Sequence, residues 1–253
     1  MEIAGKNIII TGASAGIGRE VLNLVIQYER VKIIAVARHI ESITPQQNLF
    51  PFAADVSNKE DIDKVFTFAK ETFGETDIFI ANAGFAYLER LLTPDWTHIS
   101  QIYDLNVFSP IYSLEKLAIE SQREKAFVCI VSGVGFVSLP GYSLYCSTKA
   151  ALSHFIDTYR YEKRDNLQIT AVYPVATRTS FFDKAIKGDN APLPFPQQDT
   201  TTVARKIIRG IERRKKKVFP SLLFRLFLPL SRVFPFLLKI YSKREKKKVS
   251  NWL

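Results

Sequence analysis

Tyr145 and Lys149 lie four residues apart, a spacing that places a phenol and an ammonium on one face of a helix. A phenol with its ordinary pKa of about 10 is a poor proton donor at neutral pH. A cation beside it stabilises the phenolate and lowers that pKa, so Tyr145 is a candidate general acid and base. Pairs with this spacing also occur on solvated helices, so the assignment depends on what the rest of the chain places nearby.

A strand, a glycine-rich turn and a helix begin the chain. The apolar run Asn7–Ile10 is followed by Gly12, Gly16 and Gly18, and then by an apolar-periodic segment that continues to Gln27. Glycines at such a junction let the backbone approach a pyrophosphate at the helix N-terminus. The spacing Gly-x-x-x-Gly-x-Gly differs from the commonest dinucleotide fingerprint, and the alternative is a tight connection that binds nothing.

The second predicted strand, Val31–Ala37, ends at Arg38. An NAD-binding domain usually has an acid at this point, which binds the ribose 2′-hydroxyl. A guanidinium there can instead pair with a 2′-phosphate, which favours NADP over NAD. The alternative is a solvated arginine at a strand end.

Asp55 follows a third predicted strand, Asn48–Ala54. It is placed to accept a hydrogen bond from an adenine amino group. It could equally cap the helix predicted from Lys59 to Phe73, although Ser57 is better suited to that position.

Three further polar positions stand out along the chain. A small-residue turn, Asn82 to Gly84, follows the predicted strand Asp77–Ala81, and it is either a ligand-binding turn or a simple loop. Asn106 is an amide among apolar neighbours in a helix predicted from about Asp95 to Gln122, so it needs a structural or a functional partner. Ser132 ends a strand that begins at Ala126, thirteen residues before the phenol.

Length and composition favour one large α/β domain, because 253 residues with 47% hydrophobic content can bury a single core. The two cysteines, Cys129 and Cys146, have no metal-type spacing, and the three histidines are scattered, so we expect reduced thiols and no metal site.

The N-terminus has no secretion signal, which predicts a cytoplasmic protein. A segment rich in phenylalanine and proline, residues 181–198, predicts an apolar lid.

The net charge of +10 is concentrated at one end of the chain. Residues 205–253 contain sixteen of the 35 basic residues and two of the 25 acidic ones, so the preceding body is mildly acidic. The body has no basic patch of the kind that a nucleic-acid-binding protein needs, so we expect no nucleic-acid partner.

Residues 218–253 form an amphipathic, basic C-terminal extension beyond a catalytic domain that we assign to residues 1–217. Arg225, Arg232 and Lys239 recur every seven residues, and aromatic and aliphatic side chains fill the rest of the circumference. Between residues 221 and 241, these three charges and two prolines, Pro229 and Pro235, interrupt the uncharged run that a bilayer-spanning helix requires. We expect peripheral contact with an anionic membrane through residues 213–248; the alternatives are a wall over the active site or a face that packs on another subunit.

Taken together, these motifs closely resemble the short-chain dehydrogenase/reductase family, of the NADP-preferring type, over residues 3–215. The thirteen-residue step from Ser132 to Tyr145 and the four-residue step to Lys149 carry most of the resemblance. It implies a single doubly wound Rossmann parallel sheet of about seven strands with helices on both faces, here followed by a C-terminal helical extension. The usual glycine-containing last strand is not recognisable, and Pro174-Val175 stands where the family usually has Pro-Gly.

The resemblance also implies a role for each motif. Tyr145 matches the catalytic acid/base, Ser132 the hydroxyl that holds the substrate oxygen, and Asn106 the amide behind a proton-relay water. Lys149 matches the residue that lowers the Tyr145 pKa and holds the nicotinamide ribose. The implied NADP(H)-binding positions are Gly12, Ser14, Gly16, Ile17, Gly18, Arg38, Asp55, Val56, Asn82, Ala83, Gly84, Tyr145, Lys149, Pro174 and Thr179.

The implied activity is hydride transfer between NADP(H) and a carbonyl or secondary alcohol. A lipid-contacting tail favours an apolar substrate of the 3-oxoacyl, sphingoid, steroid or retinoid type. The resemblance implies a homodimer or homotetramer. The alternative from another class is a non-catalytic NADP-binding module that senses redox state or anchors a partner at the membrane.

Overall fold

The computed structural model describes residues 1–120, 123–182, 185 and 193–250. Its centre is a seven-stranded parallel sheet, and the strands, in spatial order, are β3-β2-β1-β4-β5-β6-β9. The order reverses between β1 and β4, which makes this a doubly wound sheet with a crevice at the carboxyl ends of the strands. The predicted Rossmann sheet is confirmed.

The strands of the main sheet are β1 (Asn7–Thr11), β2 (Lys32–Ala37), β3 (Leu49–Ala53), β4 (Ile78–Ala81), β5 (Lys125–Ile130), β6 (Leu167–Val172) and β9 (Lys217–Val218). A separate two-stranded pair consists of β7 (Ala176–Thr177) and β8 (Gln197–Gln198). The helices are α1 (Gly16–Val25), α2 (Lys59–Phe73), α3 (Trp96–Tyr103), α4 (Ser109–Ile119), α5 (Ser143–Tyr159), α6 (Thr200–Glu212), α7 (Leu222–Val233) and α8 (Phe236–Val249).

Both faces of the sheet are buried, because its β-branched strands contribute side chains alternately to two apolar layers. One layer packs under α1 and α6, with Val21 and Ile207 fully buried. The other packs under α2, α4 and α5 and contains stacked rings of Phe66, Phe79 and Phe127, with centroids 5.5 and 5.7 Å apart. The sheet is thus a rigid platform whose strand ends hold the loops in place.

The helix predicted over about 95–122 is interrupted. A π-helical turn, Asp104–Phe108, separates α3 from α4. Pro110 has no N–H to bond the carbonyl group of Asn106, four residues earlier, and the ring of proline would clash with that group. The N–H of Ser109 instead bonds the carbonyl oxygen of Asp104, which gives the wider turn. Such turns are frequent at functional sites, and this one carries Asn106.

The expectation that the last strand of the sheet is missing is wrong, because β9 fills that position. Lys217 and Val218 pair in parallel with Ala171 and Val172 of β6. The strand lies under α6 because Gly210 has no side chain: a Cβ there would lie 2.6 Å from Cγ2 of Val218. The strand crosses the predicted domain boundary at residue 217.

The C-terminal extension forms two helices rather than one. Phe234 precedes Pro235, and a residue before proline disfavours helical backbone, so α7 ends and α8 begins there. The single line predicted for Arg225, Arg232 and Lys239 is therefore divided between two helices. The rings of Phe227 and Tyr241, 6.4 Å apart, join the helices in a pair that we call the tail hairpin, residues 222–249.

The tail hairpin is docked on the domain. The hydroxyl of Ser242 donates to the carbonyl oxygen of Ser138 at 3.0 Å, and the guanidinium of Arg244 lies over the ring of Phe195. Within the described ranges, no helix is both long enough and apolar enough to cross a bilayer.

Candidate active site

A cleft of about 450 Å³ opens at the carboxyl ends of the sheet strands. It is lined by most of the residues that the sequence marked for chemistry or cofactor binding. These are Gly12, Ser14, Gly16, Ile17, Arg38, Asp55, Val56, Asn82, Ala83, Gly84, Ser132, Tyr145, Lys149, Pro174 and Thr179. Two of the predicted site residues, Gly18 and Asn106, do not line the cleft; they lie behind its wall and contact the residues that form it.

The glycine turn is built for a close approach of backbone to a ligand. Gly12 and Gly16 have φ of +65° and +56°, which side chains disfavour. A Cβ at Gly18 would lie 2.2 Å from the carbonyl oxygen of Gly12, so only glycine fits there. The N-terminus of α1 has no side-chain cap at Ala15, which leaves its backbone N–H groups open to an anion.

Asn82 holds this turn from the opposite side. Its side-chain amide donates to the carbonyl oxygens of Thr11 and Gly12, both at 3.1 Å, and its backbone N–H donates to the hydroxyl of Thr11. These three bonds hold the central turn in place. Its amide is occupied by these two carbonyl groups, so its part in the ribose region is to position the turn.

Arg38 and Asp55 are the charged residues that border the other end of the cleft. The guanidinium of Arg38 is exposed at the end of β2 and has no carboxylate partner in the described residues. The carboxylate of Asp55 accepts from the N–H and the hydroxyl of Ser57, at 3.0 and 2.7 Å. Ser57 therefore does not cap α2; Asn58 occupies the cap position, without a side-chain bond, and Asp55 stabilises the turn before it.

Ser132 has an unusual backbone. Its φ of +96° is rare for a residue with a side chain and costs free energy that the surrounding packing has to offset. Its backbone N–H is held by the carbonyl oxygen of Val172, and the N–H of Gly133 is held by that of Pro174. The hydroxyl group of Ser132 lines the cleft together with Tyr145; it donates to the carbonyl oxygen of Pro174 and accepts from the N–H of Val134, both at 3.4 Å.

Tyr145 and Lys149 lie on the buried face of α5, and both are less than a tenth exposed. The ammonium of Lys149 lies 5.8 Å from the centre of the Tyr145 ring and donates to the carbonyl oxygen of Ile130 at 3.1 Å. Burial lowers the pKa of Lys149 to about 8.

The expected low pKa of Tyr145 is not found in the protein alone. Burial raises the pKa of Tyr145 above its ordinary value, and the neighbouring Ser132 hydroxyl opposes this only in part. The prediction from the spacing considered only the effect of the cation on the pKa. Desolvation of the phenolate raises the pKa and is the larger effect here. The phenol is therefore held in its protonated form, ready to act as a donor.

Asn106 forms structural bonds. Its amide donates to the carbonyl oxygen of Phe85 at 2.8 Å and to the hydroxyl of Thr148 at 3.2 Å, and its own oxygen accepts from the N–H of Phe85. The π-helical turn thus ties the loop after β4 to α5. A Cβ at Gly84 would lie 2.9 Å from the Asn106 oxygen and 3.6 Å from the Lys149 nitrogen, so this glycine keeps the space between them open.

The apolar half of the cleft is formed by the predicted lid and the C-terminal extension, whose positions could not be predicted from the sequence. Phe181 and Phe182 belong to the predicted lid, of which residues 183, 184 and 186–192 lie outside the described residues. The ring of Phe181 packs against Tyr145 with centroids 5.6 Å apart. Pro194, Phe195 and Pro196 complete the part of this segment that lines the cleft.

The tail hairpin supplies the rest of this wall. Leu223, Phe224 and Phe227 of α7 and Tyr241 of α8 all line the cleft. Phe224 is buried and lies against Gly133, where a Cβ would come within 3.0 Å of its ring. The wall was one of three alternatives for the tail, and the spacing of its aromatic residues did not distinguish them.

Residues 6–190 match the family model described as short chain dehydrogenase. An 11-beta-hydroxysteroid dehydrogenase-like 3 of Arabidopsis thaliana is 31% identical over 229 residues, which cover 83% of this chain and 72% of that protein. A farnesol dehydrogenase of Aedes aegypti is 28% identical over 202 residues, covering 72% and 82%. A short chain dehydrogenase from Burkholderia cenocepacia J2315, solved in complex with NADP, shares the fold with a TM-score of 0.81 at 19% identity, covering 96% and 99%. The sheet, the cleft and a match over most of its length show that this chain belongs to the short-chain dehydrogenase family.

Proposed function

We propose that this protein is an NADP(H)-dependent oxidoreductase that transfers hydride between the nicotinamide and a carbonyl or secondary alcohol of an apolar substrate. The observation that carries the proposal is that Tyr145, Ser132 and Lys149 line the same cleft as the glycine turn. A proton donor, a hydroxyl that orients an oxygen and a cradle for a pyrophosphate are the parts that this reaction needs.

The cleft fits a dinucleotide with a 2′-phosphate. The open N–H groups of α1 and the glycine turn suit a pyrophosphate, and the exposed guanidinium of Arg38 suits the additional phosphate. Asp55 is the one carboxylate that lines the cleft in the described residues, and its Oδ1 is occupied by Ser57. The bound cofactor supplies the hydride, which is the difficult chemistry.

The chain's own residues manage the oxygen of the substrate. In the reductive direction the Ser132 hydroxyl donates to the carbonyl oxygen, and Tyr145 transfers its proton to that oxygen as the carbon receives hydride. A preorganised donor such as Ser132 is worth about 10²- to 10³-fold in rate. Lys149 stabilises the phenolate that remains, and burial excludes water that would compete for the proton. The alcohol forms with one hydride and one proton added, and oxidation is the reverse.

The walls of the cleft favour an apolar substrate. Aromatic and aliphatic side chains from the lid and the tail hairpin face the reacting groups, among them Phe181, Phe224 and Phe227. The names of two relatives, a hydroxysteroid dehydrogenase-like protein and a farnesol dehydrogenase, refer to apolar compounds of this kind. We therefore assign the substrate to the lipid-like alcohols and ketones.

The proposal includes contact of the tail hairpin with an anionic membrane surface, on the cytoplasmic side. While its inner face lines the cleft, its outer face exposes large apolar side chains. These are Leu222, Leu226, Leu230, Val233, Phe234, Phe236 and Ile240, each at least 45% exposed. A contiguous apolar face of this kind, with lysines at its end, is typical of a helix pair that lies in the membrane interface.

The enzymatic proposal is tested by NADPH oxidation with a panel of long-chain and cyclic ketones. Tyr145→Phe removes the proton donor and is expected to lower turnover by at least about 10²-fold while NADPH binding persists. Tyr142→Phe is the matched control, because Tyr142 lies one helical turn earlier and does not line the cleft. NADPH binding without turnover by the wild type on any ketone would favour the non-catalytic module instead.

The membrane proposal is tested by sedimentation with anionic vesicles. Leu226→Ser/Leu230→Ser is expected to reduce binding at least about tenfold, since two leucine side chains that become buried in the apolar layer of the membrane contribute about 3 kcal/mol or more. Leu91→Ser/Leu92→Ser is the control, because these leucines are also at least about half exposed and lie elsewhere on the domain. If the tail variant changes the mass of the assembly in solution and leaves vesicle binding intact, the outer face packs on a second subunit. The homodimer or homotetramer expected from the family stays a prediction that the same mass measurement tests.

A further inference from the structure

A second cleft, of about 420 Å³, lies on the edge of the domain away from the reacting groups. It is formed where α6, β9 and the beginning of α7 meet. Six of its nine lining residues are basic and none is acidic. The lining residues are Lys206, Arg209, Gly210, Arg213, Lys215, Lys217, Val218, Phe219 and Arg225. We call it the basic cleft.

Local periodicity explains why these cations converge. Lys206, Arg209 and Arg213 are three and four residues apart, so they form one stripe along α6. Lys215 precedes β9 and Lys217 begins it, and the ammonium of Lys217 lies toward α5, beside Asp157 and over the ring of Phe136. Close packing of α6 on β9 at Gly210 brings the stripe and the strand together, and Val218 forms part of the floor.

Most of this charge is not neutralised by the protein. Lys217 pairs with Asp157 at 2.6 Å. The other five basic side chains of the cleft have no carboxylate partner in the part of the chain that the structure describes. Glu212, the acid nearest in sequence, accepts from the hydroxyl of Tyr28 on the opposite side of α6. Like charges gathered around one concave surface repel one another, and a bound anion with several oxygens relieves that repulsion.

The position of the basic cleft indicates the source of that anion. Arg225 of α7 borders the cleft, and the next residue, Leu226, is 63% exposed on the outer face of the tail hairpin. Phosphate groups lie directly above the apolar layer of a membrane. A surface that receives the outer face of α7 would therefore hold its phosphates at the level of the cleft.

We propose that the basic cleft binds the phosphate of an anionic phospholipid headgroup while the outer face of the tail hairpin enters the apolar layer. This inference rests on the membrane contact proposed above and specifies the lipid class that it requires. The cleft fixes the orientation of the domain, because contacts on α6 and α7 together define a plane. The same hairpin that lines the substrate cleft is then seated on the lipid from which an apolar substrate can enter.

The experiment compares two full-length variants that each lose three positive charges. Arg209→Gln/Arg213→Gln/Arg225→Gln removes cations of the cleft, and Lys243→Gln/Lys246→Gln/Lys247→Gln removes exposed cations from α8. Binding is measured with phosphatidylcholine vesicles with and without phosphatidylglycerol. The cleft variant is expected to bind the anionic vesicles at least about tenfold more weakly than the α8 variant, because cations that converge on one phosphate form several charge-assisted hydrogen bonds with it, whereas the dispersed α8 lysines contribute only diffuse attraction. Equal losses would overturn the proposal, because a diffuse attraction depends only on the number of charges.

Two more measurements identify the source of the phosphate. Inorganic phosphate, compared with chloride at equal ionic strength, is expected to release little protein from the vesicles. If inorganic phosphate binds the wild type and the protein shows no preference for anionic vesicles, the cleft is a site for a free phosphate. Tighter binding to a single-stranded oligonucleotide than to anionic vesicles would assign it to nucleic acid and overturn the lipid assignment.

The outcome is separate from that of the proposed reaction. Vesicle binding requires no turnover, so a protein inactive on every ketone can still distinguish the two triple variants. Conversely, normal NADPH oxidation by both variants, with equal vesicle binding, would overturn the basic cleft and leave the proposed reaction in place.

Discussion

Replacing Lys149 with methionine is expected to stabilise the protein while it abolishes turnover. Lys149 is 5% exposed, and its hydrogen-bond partner is the carbonyl oxygen of Ile130. In the described part of the chain no carboxylate pairs with it. At neutral pH the folded protein therefore holds a buried ammonium without a counter-ion. Methionine is similar in length, carries no charge and adapts to irregular packing.

The magnitude follows from the pKa. Burial lowers the pKa of Lys149 from 10.5 to about 8, and a difference of about 2.5 corresponds to about 3 kcal/mol of folding free energy. The lost hydrogen bond to Ile130 costs about 1 kcal/mol, so the variant gains about 2 kcal/mol at neutral pH. This gain depends on pH. Between pH 8 and 10.5 the unfolded wild type binds a proton that the folded wild type has released, so wild-type stability rises with pH. The advantage of the variant is constant below pH 8, reaches zero at about pH 9.5, and above about pH 10.5 the wild type is more stable by the roughly 1 kcal/mol of its hydrogen bond.

Urea unfolding followed by circular dichroism, at pH 7 and at about pH 9.5, measures both effects in the cofactor-free protein. Lys125→Met is the matched control, because Lys125 is equally buried but bonds Glu120 and the carbonyl oxygen of Thr76, both at 2.9 Å. Removing the Lys125 ammonium leaves Glu120 and the Thr76 carbonyl oxygen without this donor, and this is expected to destabilise the protein by about 1–3 kcal/mol. A Lys149→Met variant that is less stable than the wild type at pH 7, or a stability difference independent of pH, would refute the reasoning.

Three further outcomes follow from the geometry. Gly18→Ala is expected to destabilise the protein by about 1–3 kcal/mol and to weaken NADPH binding in a fluorescence titration, because its Cβ would lie 2.2 Å from the oxygen of Gly12; unchanged binding would show that the turn can move. Arg38→Asp is expected to lower the ratio of kcat/KM for NADPH over NADH at least tenfold, since a bond to a charged group is worth about 1.5–3 kcal/mol; a constant ratio would remove Arg38 from the phosphate site. The buried hydroxyl of Tyr142 has no partner in the described residues, so Tyr142→Phe is expected to leave the free energy of unfolding unchanged or to raise it by about 1 kcal/mol, and a clear loss of stability would show that the hydroxyl has a partner.

The features whose place in the fold could be predicted from the sequence depend on short-range geometry. The glycine turn, the arginine after β2 and the spacing from Tyr145 to Lys149 each depend on one element and the loop beside it. Parallel strands place all their carboxyl ends at one edge, so separate motifs meet in one cleft once the strands are identified. This is why a correct assignment of elements was enough to gather most of the cleft.

The predictions that were wrong or left open concern features that depend on contacts between distant segments or on opposing contributions to one free energy. The break at 104–108 follows from Pro110, a local signal that the apolar periodicity obscured. A two-residue strand such as β9 has no periodicity to detect, and it exists because Gly210 lets α6 approach it. The pKa of Tyr145 depends on how completely the phenol is buried, which spacing along a helix does not reveal.

The tail hairpin shows why the roles of its faces have to be separated by single side chains rather than by deletion. Phe224 packs on Gly133 in the cleft at the strand ends, Arg225 borders the basic cleft, and Leu226 is exposed on the outer face. Three consecutive residues of one helix, each about 100° from the last, thus serve three surroundings. Removing the chain after residue 217 would also remove Val218 from the sheet and Phe224 from the core, so a loss of vesicle binding would be indistinguishable from a damaged domain. Substitutions at residues 225 and 226 leave the packing of Phe224 intact, and a difference between them therefore reports on the surface alone.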